Sequence, residues 1–544
     1  MGSLWSTTGK VVGLLLFVMI LLLPGPVQRG PDDLPAAAQR LAAVTALMAA
    51  LWLTQAIPIA ATSLIPLVAF PLLGIQSADV VSKSYIDKSI FLFLGGFIIA
   101  LGIEKWGLHR RMALHVVRLL GTSLKRVVLG FMLATAFLSM WISNTASTLL
   151  MLPIGLALIA SLRDLSNSSK PAAAANDAPN GEAANGPIAR LSVVLMLGIA
   201  YSASIGGLTT LVGTPTNVAF VGIWSQEFPA APEFSTGGWM TAAVPLGIVF
   251  LLITWGVLVW RLPAIPGAER FERRFFTDQL RKLGRPSRAE LLMLAVFAST
   301  AALWALRKPL QFGDMTFPVS WGGVIERFLV DRLNVDPQLA EGAVHDSTVA
   351  MGMALLMFFI PAGRDEKNQR KYLMDWETAE RLPWGILLLI GGGFAIAGGF
   401  ADTGLAEWVG KRFAEAIAGW PVLLVVAAVC LLLTFLTELT SNVATVSALL
   451  PILARVAIDL EIDPRLVMIP ATISASCAFM LPIATPPNAI IFGSGRVSMG
   501  QMARYGIALN FLGVVLITSA TFLLIVPQFG ISLDLFPDWA ANID

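Results

Sequence analysis

Ser143, Asn144 and Thr145 stand side by side inside an otherwise apolar stretch, WISNTASTLLMLP (141–153), and Ser441 and Asn442 recur in a second one, LTELTSNVATVSALLP (436–451). Downstream of each lies a proline-interrupted polar run, GTPTN (213–217) and ATPPN (484–488). Proline removes a backbone donor and disrupts the preceding helical turn, so each run predicts a helix broken in mid-course with free carbonyls and amides. Unwound carbonyls and hydroxyls suit a sodium ion, and half-helix N-termini carrying Ser, Asn and Thr suit a carboxylate or similar oxyanion. None of the four polar runs carries Lys, Arg or His. An anion held there lacks a side-chain counter-charge, and burying it bare costs tens of kcal/mol. A bound cation offsets that cost. Glu438 is the acid nearest the tips and reads as a hydrogen-bonded structural partner rather than a proton carrier.

The elements that position these residues follow from composition. With 544 residues, 56% hydrophobic and only 13% charged, the chain reads as an all-α polytopic membrane protein. Cys430 and Cys477 both lie in apolar runs and read as small buried hydrophobes. Apolar runs recur along the whole length, and two of them, 127–160 and 421–457, are too long for one crossing. Each has a Ser-Asn centre and predicts a re-entrant hairpin with its tip buried in protein. Counting the hairpins as returning to their own side leaves about eleven transmembrane helices. The basic segments 107–126 and 261–288 then fall together on the cytoplasmic side, with the N-terminus inside and the C-terminus outside.

The chain also repeats itself. LFLGGFIIALGIEKWGL (92–108) is matched by LLIGGGFAIAGGFADTGL (388–405), SNTAST (143–148) by SNVATV (441–446), and GTPTNVAF (213–220) by ATPPNAII (484–491), in the same order. An odd number of crossings per half predicts two inverted repeats, the arrangement of many secondary transporters. The expected organisation is an N-terminal helix and loop (1–39), a first repeat (40–261) with hairpin 127–160, a disordered cytoplasmic loop 165–188 and broken helix 190–224, a basic cytoplasmic linker (262–287), and a second repeat (288–544) with hairpin 421–457 and broken helix 465–495. Enzymatic readings fail on residue types. His109, His115 and His345 fall in or beside connecting segments, and neither an HExxH nor a GxxxxGK[ST] pattern is present. Nothing resembles a repeated pore-filter signature. No feature points to nucleic acid.

LSMWISNTAST, LTELTSNVAT, YSASIGGLTTLVGTPTN, CAFMLPIATPPNAIIFG and WLTQAIPIAATSLIPLVAFPLLGI resemble the divalent anion/sodium symporter family, from about Trp52 to Gly495. The resemblance implies sodium-coupled transport of C4-dicarboxylates such as succinate, malate or fumarate by a homodimer in a bacterial inner membrane. In each protomer a transport domain would move, elevator fashion, against a fixed scaffold. It also implies site residues. A first sodium site would use Ser139, Ser143 and Asn144 with the backbone at Gly213, and a second Thr437 and Asn442 with the backbone at Thr440 and Ala484. Substrate carboxylates would be met by Asn144 and Thr145 on one side and Ser441 and Asn442 on the other, with Thr214, Pro215, Thr485 and Pro486 closing the site. Val443 stands where the symmetric motif has threonine, which bears on substrate choice, and Gln55 where the family's TEAIP has glutamate. A sodium-independent exchanger of the same fold, or a sodium-coupled sulfate or citrate carrier, is the alternative.

Overall fold

The computed structural model describes residues 2–23, 35–119, 123–168, 186–263, 268–312, 315–317, 320–364, 368–533 and 535–541. Helices dominate. Among the described residues eight are long and apolar enough to cross a membrane alone, and a ninth span arises if Leu405–Ile417 and Val422–Leu436, bent by 120°, count as one. The apolar stretch 58–74 forms two short helices, Ile59–Thr62 and Ile65–Leu72, rather than one rod. The architecture is predominantly helical, as expected, with two small antiparallel ribbons beside the helices: Leu310–Phe312 pairs with Met315–Phe317, and Pro361–Arg364 with Arg370–Tyr372. The expected disordered loop 165–188 lies for the most part outside the described residues; one helix reaches Ser168 and the next starts at Pro187. The 262–287 segment holds a helix, Ala268–Lys282, and the boundary expected at residue 40 falls inside Ala36–Thr54.

The molecule is organised about Pro187–Gly207, in which every residue from Leu191 to Gly207 is buried. It packs on both limbs of the first hairpin, Leu124–Ser139 and Asn144–Ser168, on Thr236–Val259, and on the short helix Pro486–Gly493 from the other half. Backbones meet here. A Cβ on Gly206 would lie 2.2 Å from the carbonyl oxygen of Ala136, so only glycine lets the central helix approach the hairpin. The two halves also share a local device. Lys88–Lys105 and Trp384–Thr403 both run into a glycine with positive φ, Gly107 at 69° and Gly404 at 71°. Each glycine is followed by an amphipathic helix, Leu108–Leu119 or Leu405–Ile417. Glycine accepts this left-handed turn without strain, and the chain therefore changes direction at the same place in each half.

A charged lock joins three segments distant in sequence. Arg307, only 3% exposed, pairs with the buried Asp346 and donates to the Val344 carbonyl (2.9 Å). Asp346 Oδ2 in turn accepts from the Thr236 N–H and hydroxyl, both at 2.7 Å. Glu233 meets Arg307 (3.5 Å), Lys308 (2.9 Å) and His345 Nε2 (2.7 Å). Removing one partner of a buried pair strands the other charge, at a cost of about 3–5 kcal/mol. Arg307→Leu is therefore expected to lower the unfolding temperature of the purified protein sharply, whereas Lys308→Leu, at a half-buried position whose side chain reaches solvent, leaves it nearly unchanged. Equal melting of both variants in a detergent-based thermal assay would rule the lock out as a stabilising element.

Candidate binding site at the helix breaks

The first hairpin turns at residues 140–143, between Leu124–Ser139 and Asn144–Ser168. Ser143 makes the restart possible: its hydroxyl accepts the Ala146 N–H at 3.2 Å, a side-chain cap for a helix beginning inside protein. Ser139 Oγ lies 2.6 Å from Asn144 Oδ1 and 2.7 Å from the Ala203 carbonyl oxygen. A hydroxyl has one proton and both neighbours are acceptors, so one of the two contacts sets oxygen against oxygen. A cation among these three oxygens, or an Asn144 amide turned to present its N–H, would relieve that conflict. The neighbouring backbone is shaped around Asn144, because a Cβ on Gly207 would lie 2.3 Å from its Oδ1. Beyond Gly207 the chain unwinds and folds back, placing Gly213 so that a Cβ there would lie 2.4 Å from the Gly207 carbonyl oxygen. The helix restarts as Pro215–Glu227.

The unwound segment is held by side chains. Thr210 donates its hydroxyl proton to the Met140 carbonyl at the hairpin turn. Asn217 Nδ2 donates to the carbonyls of Leu208 (3.1 Å) and Thr210 (2.8 Å). The second half repeats the design. Arg465–Ala475 ends, residues 476–485 are unwound, and Pro486–Gly493 follows. Asn488 Nδ2 donates to Ala478 (3.2 Å) and Leu481 (3.1 Å), matching Asn217. Thr214 and Thr485, which precede the restarts, have nearly the same backbone, φ −140°, ψ 142° and φ −139°, ψ 149°. The symmetry is local and real.

It fails at one position. The repeat aligns Met140 with Glu438, and the carboxylate takes over the fastening. Oε1 accepts the N–H groups of Phe479 (2.7 Å) and Met480 (2.8 Å) and the Asn510 amide (2.7 Å), while Oε2 accepts the N–H of Leu481 (2.9 Å). Three consecutive donors of the unwound chain thus converge on one buried acid. Charge-assisted bonds of this kind are about twice as strong as neutral ones. The two halves are also tied to each other, since Thr214 Oγ1 lies 3.2 Å from Thr216 Oγ1, which lies 2.8 Å from Ser476 Oγ.

Of the residues expected from sequence, Ser139, Asn144 and the Gly213 segment come together, while Ser143 is engaged as a cap and Thr145, half-buried, follows in the first turn. In the second half Thr440 Oγ1 bonds the Leu436 carbonyl (2.9 Å) and contacts Thr445 Oγ1, and Thr445 reaches the Ser441 carbonyl (3.0 Å). Thr437 Oγ1 donates back onto the Leu433 and Thr434 carbonyls (2.8 and 3.2 Å), and the Ala484 N–H donates to the Leu481 carbonyl (3.2 Å). Asn442 Oδ1 is buried without a partner among the described residues, as are Asn217 Oδ1 and Asn488 Oδ1. Val443 is buried in the first turn of Asn442–Asp459. The donor set at both centres is hydroxyl, amide and carbonyl oxygen, which fits a hard cation; among the described residues no group of three or more His, Cys, Asp or Glu side chains could hold a transition metal. Sequence reasoning did not single out Asn217, Asn488, Gly207 or the Thr216 to Ser476 link. The matching asparagine at the end of GTPTN and ATPPN was the available signal.

Because Glu438 satisfies three backbone donors at once, Glu438→Leu is expected to cost about 3 kcal/mol or more and to lower the unfolding temperature. Glu438→Gln, which keeps acceptor oxygen, should lose less. A Leu variant as stable as the unaltered chain would show that the segment does not depend on the carboxylate.

Known proteins show similar sequences. The family described as "Sodium:sulfate symporter transmembrane region" matches residues 5–526. A "Sodium-dependent dicarboxylate transporter SdcS" of Staphylococcus saprophyticus is 38% identical over 530 residues, covering 96% of this chain and 92% of that one. Its namesake from Staphylococcus aureus strain MRSA252 is 38% identical over 533 residues, 97% of this chain and 94% of its own. A solved structure of Neisseria gonorrhoeae MtrF, described among antimetabolite efflux pumps, aligns over 95% of this chain and 94% of that one with 12% identity and a TM-score of 0.49, too distant a likeness to inform residue placement.

Proposed function

The chain belongs to the sodium:sulfate symporter family, a family of transporters rather than enzymes, and from that premise we propose that it is a sodium-coupled symporter of C4-dicarboxylates in a bacterial plasma membrane. The dicarboxylate is preferred to sulfate because relatives named for dicarboxylate transport align with 96–97% of the chain. One observation carries the mechanism: paired helix breaks, each beside a Ser-Asn hairpin tip, present neutral oxygen and amide groups and no cationic side chain, and the acid beside them, Glu438, has its carboxylate engaged by backbone N–H groups. A dianion is not neutralised by such groups, so sodium ions provide the positive charge that allows it to dwell there. Ser139, Ser143, Asn144 and the Gly213 backbone would hold one ion. Thr437, Thr440, Asn442 and Ala484 would hold the second, once Thr437 leaves its own helix. Thr145, Ser441 and the two asparagines would then meet the carboxylates, and the half-helices starting at Pro215 and Pro486 would close the site through their N-terminal dipoles.

Substrate crosses in this reading by an elevator movement of the hairpins and broken helices as one unit, in each protomer of a homodimer. The continuous contacts among the first hairpin, the central helix and Pro486–Gly493 support a unit of that composition. The two halves are read as inverted repeats, with the N-terminus cytoplasmic and the C-terminus outside.

Uptake of labelled succinate into proteoliposomes under an inward sodium gradient tests the proposal. Accumulation in empty vesicles with sodium but not with potassium or choline is expected. Uptake indifferent to sodium that requires a succinate-loaded lumen would make the protein an exchanger and refute the charge-balance argument. Asn144→Ala and Asn442→Ala are each expected to abolish uptake while the protein still elutes as a folded species; normal uptake by both would remove the tips from the site. Val443→Thr should shift preference among dicarboxylates more than maximal rate, and an unchanged competition profile would discharge Val443 from that role.

A further inference from the structure

A cavity of about 930 Å³ opens at one face of the molecule, lined by none of the residues of the two polar centres. Five arginines contribute to it: Arg163, Arg190, Arg261, Arg496 and Arg504. They come from five places in the chain, the end of Asn144–Ser168, the start of Pro187–Gly207, the residues after Thr236–Val259 and after Pro486–Gly493, and the first turns of Met499–Ala520. The lining contains no acidic residue, and among the described residues none of the five guanidiniums has an ion-pair partner. Like charges gathered in a cleft focus a positive field and favour an anion inside it. Among the described residues the fold brings them together without supplying the counter-charge.

The remaining walls say what kind of anion. Val193, Val257, Leu258 and Trp260 line the same cavity, and Trp260 is 82% exposed. Trp260 directly follows a membrane-length helix, Thr236–Val259, and the lining residues of Pro187–Gly207 and Met499–Gln528 are likewise at the ends of membrane-length spans. Tryptophan at such a level marks the boundary between headgroups and acyl chains. The volume holds about thirty water volumes, far more than a free phosphate or a small dicarboxylate requires. We propose that this cavity is an anionic phospholipid site, with the phosphate of the headgroup on the five guanidiniums and the upper acyl chain along Val257, Leu258 and Trp260. Arginine suits the task because its planar fork binds phosphate oxygens in pairs.

The proposal is independent of what the transport site carries, and its test does not measure transport. The purified full-length protein in neutral detergent is titrated with phosphatidylglycerol, phosphatidylcholine or inorganic phosphate while thermal unfolding is followed. Phosphatidylglycerol is expected to raise the unfolding temperature more than phosphatidylcholine. Arg261→Gln with Arg504→Gln, both at exposed positions, should weaken the response to phosphatidylglycerol roughly tenfold in concentration or more. Arg118→Gln with Arg126→Gln, an equal charge loss on exposed residues outside the cavity, should leave it unchanged. Equal shifts with both lipids on the unaltered chain would overturn the site without recourse to any variant, as would equal losses in the two double variants. If inorganic phosphate reproduced the whole shift, the lipid would be overturned in favour of a free oxyanion.

Discussion

An unwound peptide inside an apolar bundle has nowhere to send its N–H and C=O groups except to other parts of the protein or to a ligand. Much of the site's construction answers that constraint. Residues 208–214 and 476–485 are two such peptides, and nearly every polar side chain around them is spoken for. Asn217 and Asn488 collect carbonyls, Glu438 collects amides, and Thr210 ties its segment to the turn of the first hairpin. What this network leaves over, a crowded hydroxyl at Ser139 and orphaned amide oxygens on Asn217, Asn442 and Asn488, is a small set of oxygens with no hydrogen to accept.

The packing follows from the same need. A break can be buried only if something close covers it, and close cover requires small residues. Gly206 and Gly207 bring the central helix against the first hairpin so tightly that a methyl group would collide with backbone on one side and with Asn144 on the other. In the second half, Gly506 does the equivalent against the carbonyl of Phe479, where an added Cβ would lie 2.3 Å away. The charged lock of Arg307, Asp346 and Glu233 joins the start of Thr236–Val259 to residues 307 and 346, and Trp304, which donates to the Asp346 carbonyl, stacks on Trp141 at the first hairpin turn.

Much of this was legible in the residues. Proline and a Ser-Asn pair inside long apolar runs announce a break or a turn, because nothing else reconciles them with lipid depth, and helices end and restart at those residues. The duplicated order of motifs was equally plain. What stayed hidden were elements without a strong period. The ribbons at 310–317 and 361–372 are three or four residues per strand, and the Ala268–Lys282 helix looked like charge rather than structure. Partnerships across long separations were hidden too. Nothing near Glu438 in sequence indicates that its donors lie some forty and seventy residues away, and the same holds for Asp346 and Thr236. Thr437 was readable as an ion ligand by motif, yet its hydroxyl bonds its own helix.

The unequal fastening of the two breaks adds a dimension of time. One segment is tied to its hairpin through a single threonine hydroxyl and the other through a carboxylate that grips three amides in succession. Free energies of local opening track such differences in hydrogen bonding. Two segments related by duplication are therefore not held alike: the one fastened by the hydroxyl opens locally at lower free energy than its counterpart, giving a nearly symmetric scaffold an unequal response to the same thermal motion.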